Sequence, residues 1–540
     1  GAAPRLKRVV GSNDLPAGEA LFSPLTDRAG ISASGDVLMA IDTAGGKRGA
    51  YRWSQSDGVI VPILVTGEPA PGLPGETLRV LTSPGYIDQH GNVTTVFNYT
   101  TGAFSRKSGI WSGSATDPPT IQLLAADGHS PFFSILSPRV SQEGTLALIG
   151  TVRFENGLIA KSLYRGAAGE LPQALLTGGD PVPVALDEDD PNKNVADLRD
   201  VAVDNNGRAS CIVSRRQLGD FGMILAHGSG AWSEVARLFI PAAGTEHDFR
   251  SFDGLTVAKD TVVFTGTTTK GPSGQPGIWR VASDGTIDLI AVAEEPFGDG
   301  LGSAVSGIPG ATLFVIRLPL VADTGACFFS AALVIGEGID VSNNDLILRS
   351  DGSGLRVVIR EGAPAPGLPS AEGWRIPQLP GRFAISPDGR LAMIAEAQNA
   401  EGVREKWLWV SGVDGALEPV MKVGDAVNGK PIANIEIFVG FDGDGGNPIG
   451  RSGTDGMTGP FNARGELVVG ITHPDERVIY IVDFVNVAPP DPVSIRLSTP
   501  ILADGKIRFS FSSEDGRQYR LEGSDTLAEW QPVGEVLTGS

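Results

Sequence analysis

Eight times along the chain a short turn delivers an apolar run, and this recurrence limits the possible folds more than any other feature. The turn ends in glycine at Ser34-Gly35-Asp36-Val37-Leu38, His90-Gly91-Asn92-Val93 and Glu143-Gly144-Thr145-Leu146, and again at Asn206-Gly207, Thr324-Gly325, Asp388-Gly389-Arg390-Leu391 and Arg464-Gly465-Glu466-Leu467. Lys259-Asp260-Thr261-Val262-Val263 fills the fifth place without the glycine, and the spacing averages about 61 residues. After each turn comes a second strand-like run, often aromatic: Tyr51-Arg52-Trp53, Ile110-Trp111, Leu163-Tyr164, Ile224-Leu225, Ile278-Trp279, Leu346-Ile347-Leu348, Leu408-Trp409 and Ile479-Tyr480. An aliphatic run follows in most units and closes on glycine, an acid and proline, most clearly at Thr66-Gly67-Glu68-Pro69 and Arg360-Glu361-Gly362-Ala363-Pro364. A further strand, such as Thr77-Leu78-Arg79-Val80-Leu81 or Trp374-Arg375-Ile376, leads back into the next turn.

Four short strands per unit, regular turns and no amphipathic helical run predict an all-β fold: an eight-bladed β-propeller of four-stranded antiparallel blades. A sandwich would not repeat one four-strand grammar eight times, and a parallel β-helix needs a much shorter period. The last unit, ending near Phe484, lacks its outer strand, and the N-terminus supplies one: Leu6-Lys7-Arg8-Val9-Val10, then Gly11-Ser12-Asn13-Asp14-Leu15-Pro16. Pairing that strand onto the last blade would remove two exposed edges at once. The propeller is thus expected over residues 1–488.

Residues 489–540 change character. Asp504-Gly505-Lys506-Ile507-Arg508-Phe509-Ser510-Phe511 and Tyr519-Arg520-Leu521-Glu522-Gly523-Ser524 alternate like strands, which predicts a small C-terminal β-rich module.

Composition narrows the partners. A net charge of −20 argues against nucleic acid or an anionic membrane surface, and no basic stripe is present. No apolar run is long enough to span a membrane. Cys211 and Cys327 both fall in apolar strand runs of units that are not neighbours in an eight-unit ring, so free, buried thiols are expected. The chain opens at Gly1 without a charged and apolar leader, which fits a signal peptide already removed and an extracellular or cell-surface setting.

The blade grammar, with its Gly-acid-x-x-Pro element, aromatic strand and x-Gly-apolar strand, resembles the tandem-repeat β-propellers of secreted bacterial proteins of unknown function. Ser386-Pro387-Asp388-Gly389 also resembles the turn of TolB-type propellers. The module at 489–540 looks like those that precede C-terminal sorting tails, and such a tail is expected either to have been processed away or to be lacking.

Chemistry is thinly signposted. The five histidines, His90, His129, His227, His247 and His473, are scattered and form no zinc motif. No nucleophile elbow, phosphate loop or dinucleotide fingerprint occurs in its required context. Asp442-Gly443-Asp444-Gly445-Gly446-Asn447, continuing to Asp455, alternates acids with glycine, as a loop holding Ca²⁺ through Asp442, Asp444, Asn447 and Asp455 would; the alternative is a long solvated loop. This segment is read as an insertion in a first-to-second-strand turn. Asp187-Glu188-Asp189-Asp190 reads as a solvated run.

The acids that recur by position are Glu68, Asp127, Asp180, Glu294, Glu361 and Asp425. They occupy the links between blades and would gather on one face. There they either bind backbone N–H groups to hold the turn or form an acidic ring around the channel mouth, a possible ligand face. The expected function is a non-catalytic binding or scaffolding protein that meets a protein or glycan at the cell surface. The alternatives are a self-associating subunit of an extracellular layer and a carbohydrate-active enzyme using carboxylates at the channel mouth.

Overall fold

Every glycine of the recurring turn takes a positive φ, between 75° and 90°, in the computed structural model. Glycine reaches that conformation without the Cβ penalty other residues meet. Each of these turns joins the first strand of a blade to its second. The structure describes residues 5–484 apart from 13, 15–20, 24–28, 44, 81–84, 101–105, 115–120, 127–133, 168, 187–192, 216–220, 260, 272–273, 283, 295–301, 318, 353, 380–382, 414 and 439–458; beyond 484 it describes only 501–503, 506–508, 518–519, 522–523, 531–532 and 537–538.

The described strands form eight four-stranded antiparallel blades, at 21–65, 77–126, 134–177, 195–237, 249–292, 313–360, 383–422 and 434–483. In the eighth, Asn434–Ile437, Glu466–Thr472 and Arg477–Asp483 are completed on the outside by Arg5–Gly11. The N-terminal strand therefore closes the ring as the sequence predicts. Among the described residues helix is almost absent, with one 3₁₀ turn at Ser370–Glu372. Among the described residues no helix is long and apolar enough to cross a membrane.

One device recurs in all eight blades and defines the repeat better than the glycine turn. The outermost strand carries a one-residue bulge where it pairs with the third strand. The extra residue is always aliphatic: Ile63, Leu124, Leu175, Val235, Ile290, Val358, Val420 and, on the N-terminal strand, Val9. Beside it the third strand buries Tyr51, Trp111, Tyr164, Leu225, Trp279, Leu348, Trp409 or Tyr480. A bulge sharpens the local twist, and here it also turns the extra aliphatic side chain into the apolar layer between neighbouring blades. That Val9 occupies the same register shows the N-terminal strand to be a true eighth outer strand.

The core consists of such layers, one between each successive pair of blades. The layer joining the last blade to the first mixes Val9, Val10, Ile479 and Ile481 with Val37, Met39 and Tyr51. Cys211 and Cys327 are free and fully buried in the second strands of blades four and six.

Contacts divide the chain into a compact unit over Gly1–Val487 and a second over Ala488–Ser540. Within the second, the described strands pair as Ile501–Ala503 with Lys506–Arg508, Gln518–Tyr519 with Leu537–Thr538, and Glu522–Gly523 with Gln531–Pro532.

Candidate functional site at the axis of the ring

The innermost strands decide what the axis presents. Those of blades one and two, three and four, four and five, and five and six touch one another, and the innermost strands are the least regular of the ring. In the first six blades the pairing with the second strand shifts register, and in the first, second and sixth the innermost strand is also split into two pieces. A continuous regular strand in each blade would crowd the axis, and each irregularity re-aims side chains there.

Blades three to five place charged groups at these breaks. Arg139 lies 4.0 Å from Asp200, and Arg199 lies 3.9 Å from Asp253, each pair spanning two blades. Asp200 also accepts the backbone N–H of Leu255 at 2.9 Å, which ties the bulge of blade four to blade five. Asp200 itself has φ 51°, rare for a residue with a Cβ. Burial pushes the Asp253 carboxyl up, while Arg199 and a bond from Ser251 pull it down. The innermost strands also expose Leu136, Phe314 and Val315, with Phe314 44% exposed.

At the end of the axis where the glycine turns lie, the turns bond to one another from blade to blade. The second turn residue donates its N–H to the next blade: Gln89 to the carbonyl of Gln142 at 2.7 Å, Gln142 to the side chain of Asn205 at 3.2 Å, and Asp323 to the carbonyl of Pro387 at 2.8 Å. From the last blade, Asn462 and Arg464 reach the carbonyls of Ser32, Ala33 and Ser34 in the first. The side chains at this turn position run Gln89, Gln142, Asn205, Lys259, Asp323 through blades two to six, and Pro387, Ala463, Ala33 through the rest. Burial drives the Asp323 carboxyl up to about 6, against the attraction of Lys259.

At the other end lie the interblade links. Their motif is a clasp: Ala70, Ala242 and Ala365 are buried, and the glycine two residues on, at 72, 244 and 367, has φ near 73°. A Cβ there would run into Leu123, Leu289 and Pro419, the residues paired with the anchor tryptophan of the following blade. Trp279 and Trp409 each donate Nε1–H at 3.1 Å to the carbonyl just before that glycine, on Ala243 and Pro366.

The link acids take several roles. The carboxylates of Asp180 and Asp425 accept the N–H of Thr177 and Lys422, three residues back, both at 2.8 Å. Asp14 does the same for Gly11 at 2.6 Å. Glu361 is buried, and burial together with Asp345 raises its carboxyl. Glu68 is exposed and Glu294 half-buried. Asp127 lies outside the described residues.

The four loop residues proposed for Ca²⁺, Asp442, Asp444, Asn447 and Asp455, also lie outside the described residues. The flanks correct the placement read from the sequence. Ile437 pairs with Val469 and Phe461 bridges to Leu467, while the first-to-second-strand turn is Asn462–Glu466. The insertion therefore interrupts the course of the innermost strand rather than extending the turn. Among the described residues, no group of three metal-ligating side chains stands together.

The axial arginines and the turn ring were not identifiable as a site from the sequence, because their meeting depends on blade order. The available signal was an arginine in or beside the run leading into several of the turns, as in Leu78-Arg79-Val80 and Trp374-Arg375-Ile376.

A model of the family described as "Family of unknown function (DUF7453)" matches residues 31–495. No curated protein matches the chain. Among solved structures, the β-propeller domain of the Trilobed protease from Pyrococcus furiosus is 10% identical, with a TM-score of 0.36, over 74% of this chain and 98% of that one. Saccharomyces cerevisiae Sqt1 is 9% identical at a TM-score of 0.36, over 87% and 100%. A polysaccharide lyase, the PL25 ulvan lyase, is 12% identical at 0.33, over 89% and 96%. At these identities the likeness concerns the propeller fold alone.

Proposed function

The chain belongs to the DUF7453 family, whose function is unknown, and from that premise we propose that it is a non-catalytic binding propeller that holds its ligand at the axis of the ring. One observation carries this reading: the innermost strands expose Leu136, Phe314 and Val315 and also carry the arginine–aspartate pairs Arg139–Asp200 and Arg199–Asp253. Packing between blades does not need exposed apolar groups there, and a surface mixing apolar area with a few placed polar groups suits a ligand. We place the protein outside the cell or on its surface, meeting a protein or a glycan, and cell fractionation tests that setting. Arrays of glycans and surface proteins probed with the intact chain test the binding. A ligand captured by the native protein is expected to be lost on Phe314→Ala and kept on Leu158→Ser at the rim. Binding that ignores Phe314 and fails at the rim sinks the axial reading.

A specific observation favours self-association as a second reading. The second-to-third-strand hairpin of blade three exposes Phe154, Leu158 and Ile159, and the same hairpin of blade six exposes Ile335 and Val341. Light scattering of the native chain and of Leu158→Lys separates the two readings, since a monomer at all concentrations removes the second. The proposal keeps Ca²⁺ at the loop holding Asp442, Asp444, Asn447 and Asp455. A calcium-dependent rise in melting temperature, reversed by chelator, is its expected signature.

A further inference from the structure

The charge of the innermost strands runs against that of the chain. The protein carries 63 acidic residues against 43 lysines and arginines. Its described innermost strands and the residues joining their pieces hold five arginines against four acids, with no lysine. The arginines come one per blade through five consecutive blades, at Arg79, Arg139, Arg199, Arg250 and Arg317, and Arg375 stands ahead of the seventh blade's Phe383–Ile385, bridged to Gln398. Two of the four acids are turned away to other partners: Asp197 pairs with Lys161 at 3.0 Å, and Glu436 with Arg477. Asp200 and Asp253 remain, engaged with Arg139 and Arg199. Arg317 is exposed and has no acidic partner among the described residues. Arg375 is exposed and gives one Nη to the neutral carbonyl of Gly362 at 2.8 Å, and among the described residues no acid pairs with it.

Structural cations on the rest of this ring are both lysine and arginine, as at Lys161, Lys422 and Lys430. Exclusive use of arginine on neighbouring strands points to planar, bidentate recognition of oxyanions, which a lysine ammonium does not provide. The overall charge of −20 does not oppose this, because exposed charges more than about 8–10 Å away are largely screened.

We infer that the axis binds an oxyanion-bearing ligand, one presenting two or more carboxylate or sulfate groups to the arginine arc, with Arg317 and Arg375 as its open contacts. This rests on the axial binding reading above and names the ligand class for that site. The apolar groups at Phe314 and Val315 lie on the same strand as Arg317 or just before it, so the ligand also presents apolar area, as the ring faces of a saccharide chain do.

The test titrates the intact chain calorimetrically, at constant ionic strength, with oligogalacturonate, with citrate and with neutral dextran oligomers. Binding of oligogalacturonate, with at least a tenfold loss in Arg317→Gln and no change in the rim variant Arg153→Gln, supports the inference. Citrate binding as tightly supports it too, and identifies the ligand as a small polycarboxylate rather than a saccharide chain. Arg375→Gln should act in the same direction. Melting curves of the variants show whether the fold is kept, and Arg317, whose side chain has no partner among the described residues, carries the result if Arg375→Gln destabilises. Absence of binding by both acidic probes overturns the inference, as does equal binding by Arg317→Gln. Should dextran bind in a Phe314-dependent manner while the acidic probes do not, the anion inference falls and the axial site stands.

Discussion

At the scale of single residues, two carboxyl groups make opposite demands on pH. Asp323 is held in a buried turn that raises it to about 6, above its usual value near 3.9. Ionising it costs stability, so the folded state is favoured below about pH 4, and that advantage is lost as pH rises through about 6. Asp323→Asn is expected to raise the melting temperature by about 1–3 °C at pH 7.5 and to leave it unchanged at pH 4. An equal effect at both values would contradict the assignment. Glu476 is the reverse case. Its side chain is 6% exposed, Arg8 and Lys430 bond to it, and its carboxyl is depressed to about 2. The stability it contributes is present above the ordinary glutamate value and disappears as pH falls toward 2. Glu476→Gln should cost about 1–3 kcal/mol at pH 7, since both cations are partly solvated. The cost should shrink steadily below pH 4, as urea unfolding at a series of pH values would show.

At the scale of the strand and the link, the N-terminal strand and the clasp do the joining. Arg5–Gly11 pairs along the third strand of the last blade and supplies Val9 and Val10 to the layer against the first. Deleting residues 1–12 should lower stability by several kcal/mol, because one strand's pairing and its apolar burial go together. An unchanged melting temperature would be incompatible with closure by this strand. In the clasp, Trp409→Phe removes the bond to Pro366 while keeping the ring in place, and about 1 kcal/mol of destabilisation is expected. Gly367→Ala should cost more, because the backbone is left-handed and the new methyl meets Pro419. Matched denaturant curves rank the two substitutions, and the opposite order would refute the clasp.

At the scale of the whole propeller, closure isolates its thiols. Cys211 and Cys327 sit in blades separated by another blade, each fully buried, and burial pushes both thiols up to about 12. Neither is expected to react with iodoacetamide in the folded protein, and both should react once it is unfolded. Mass spectrometry finding a disulfide between them, or rapid native alkylation, would contradict the blade order itself.

The number of blades, their four-strand make-up and the origin of the closing strand were legible in the sequence. Turn glycines and alternating apolar runs are local properties, and a repeat displays each of them eight times. The link acids were visible as a pattern, but their roles were not. Whether Asp180 holds a turn or faces a ligand depends on where the N–H of Thr177 points, and backbone geometry alone decides that. The universal bulge was also hidden, because an extra aliphatic residue in an aliphatic strand leaves no mark on composition. The axial arginines lay in plain view as isolated residues, and they become neighbours only through ring closure, which brings innermost strands about 60 residues apart in sequence into contact. Local chemistry thus determined the blades, and the tertiary arrangement decided which side chains share the axis, since that depends on how one blade packs against the next.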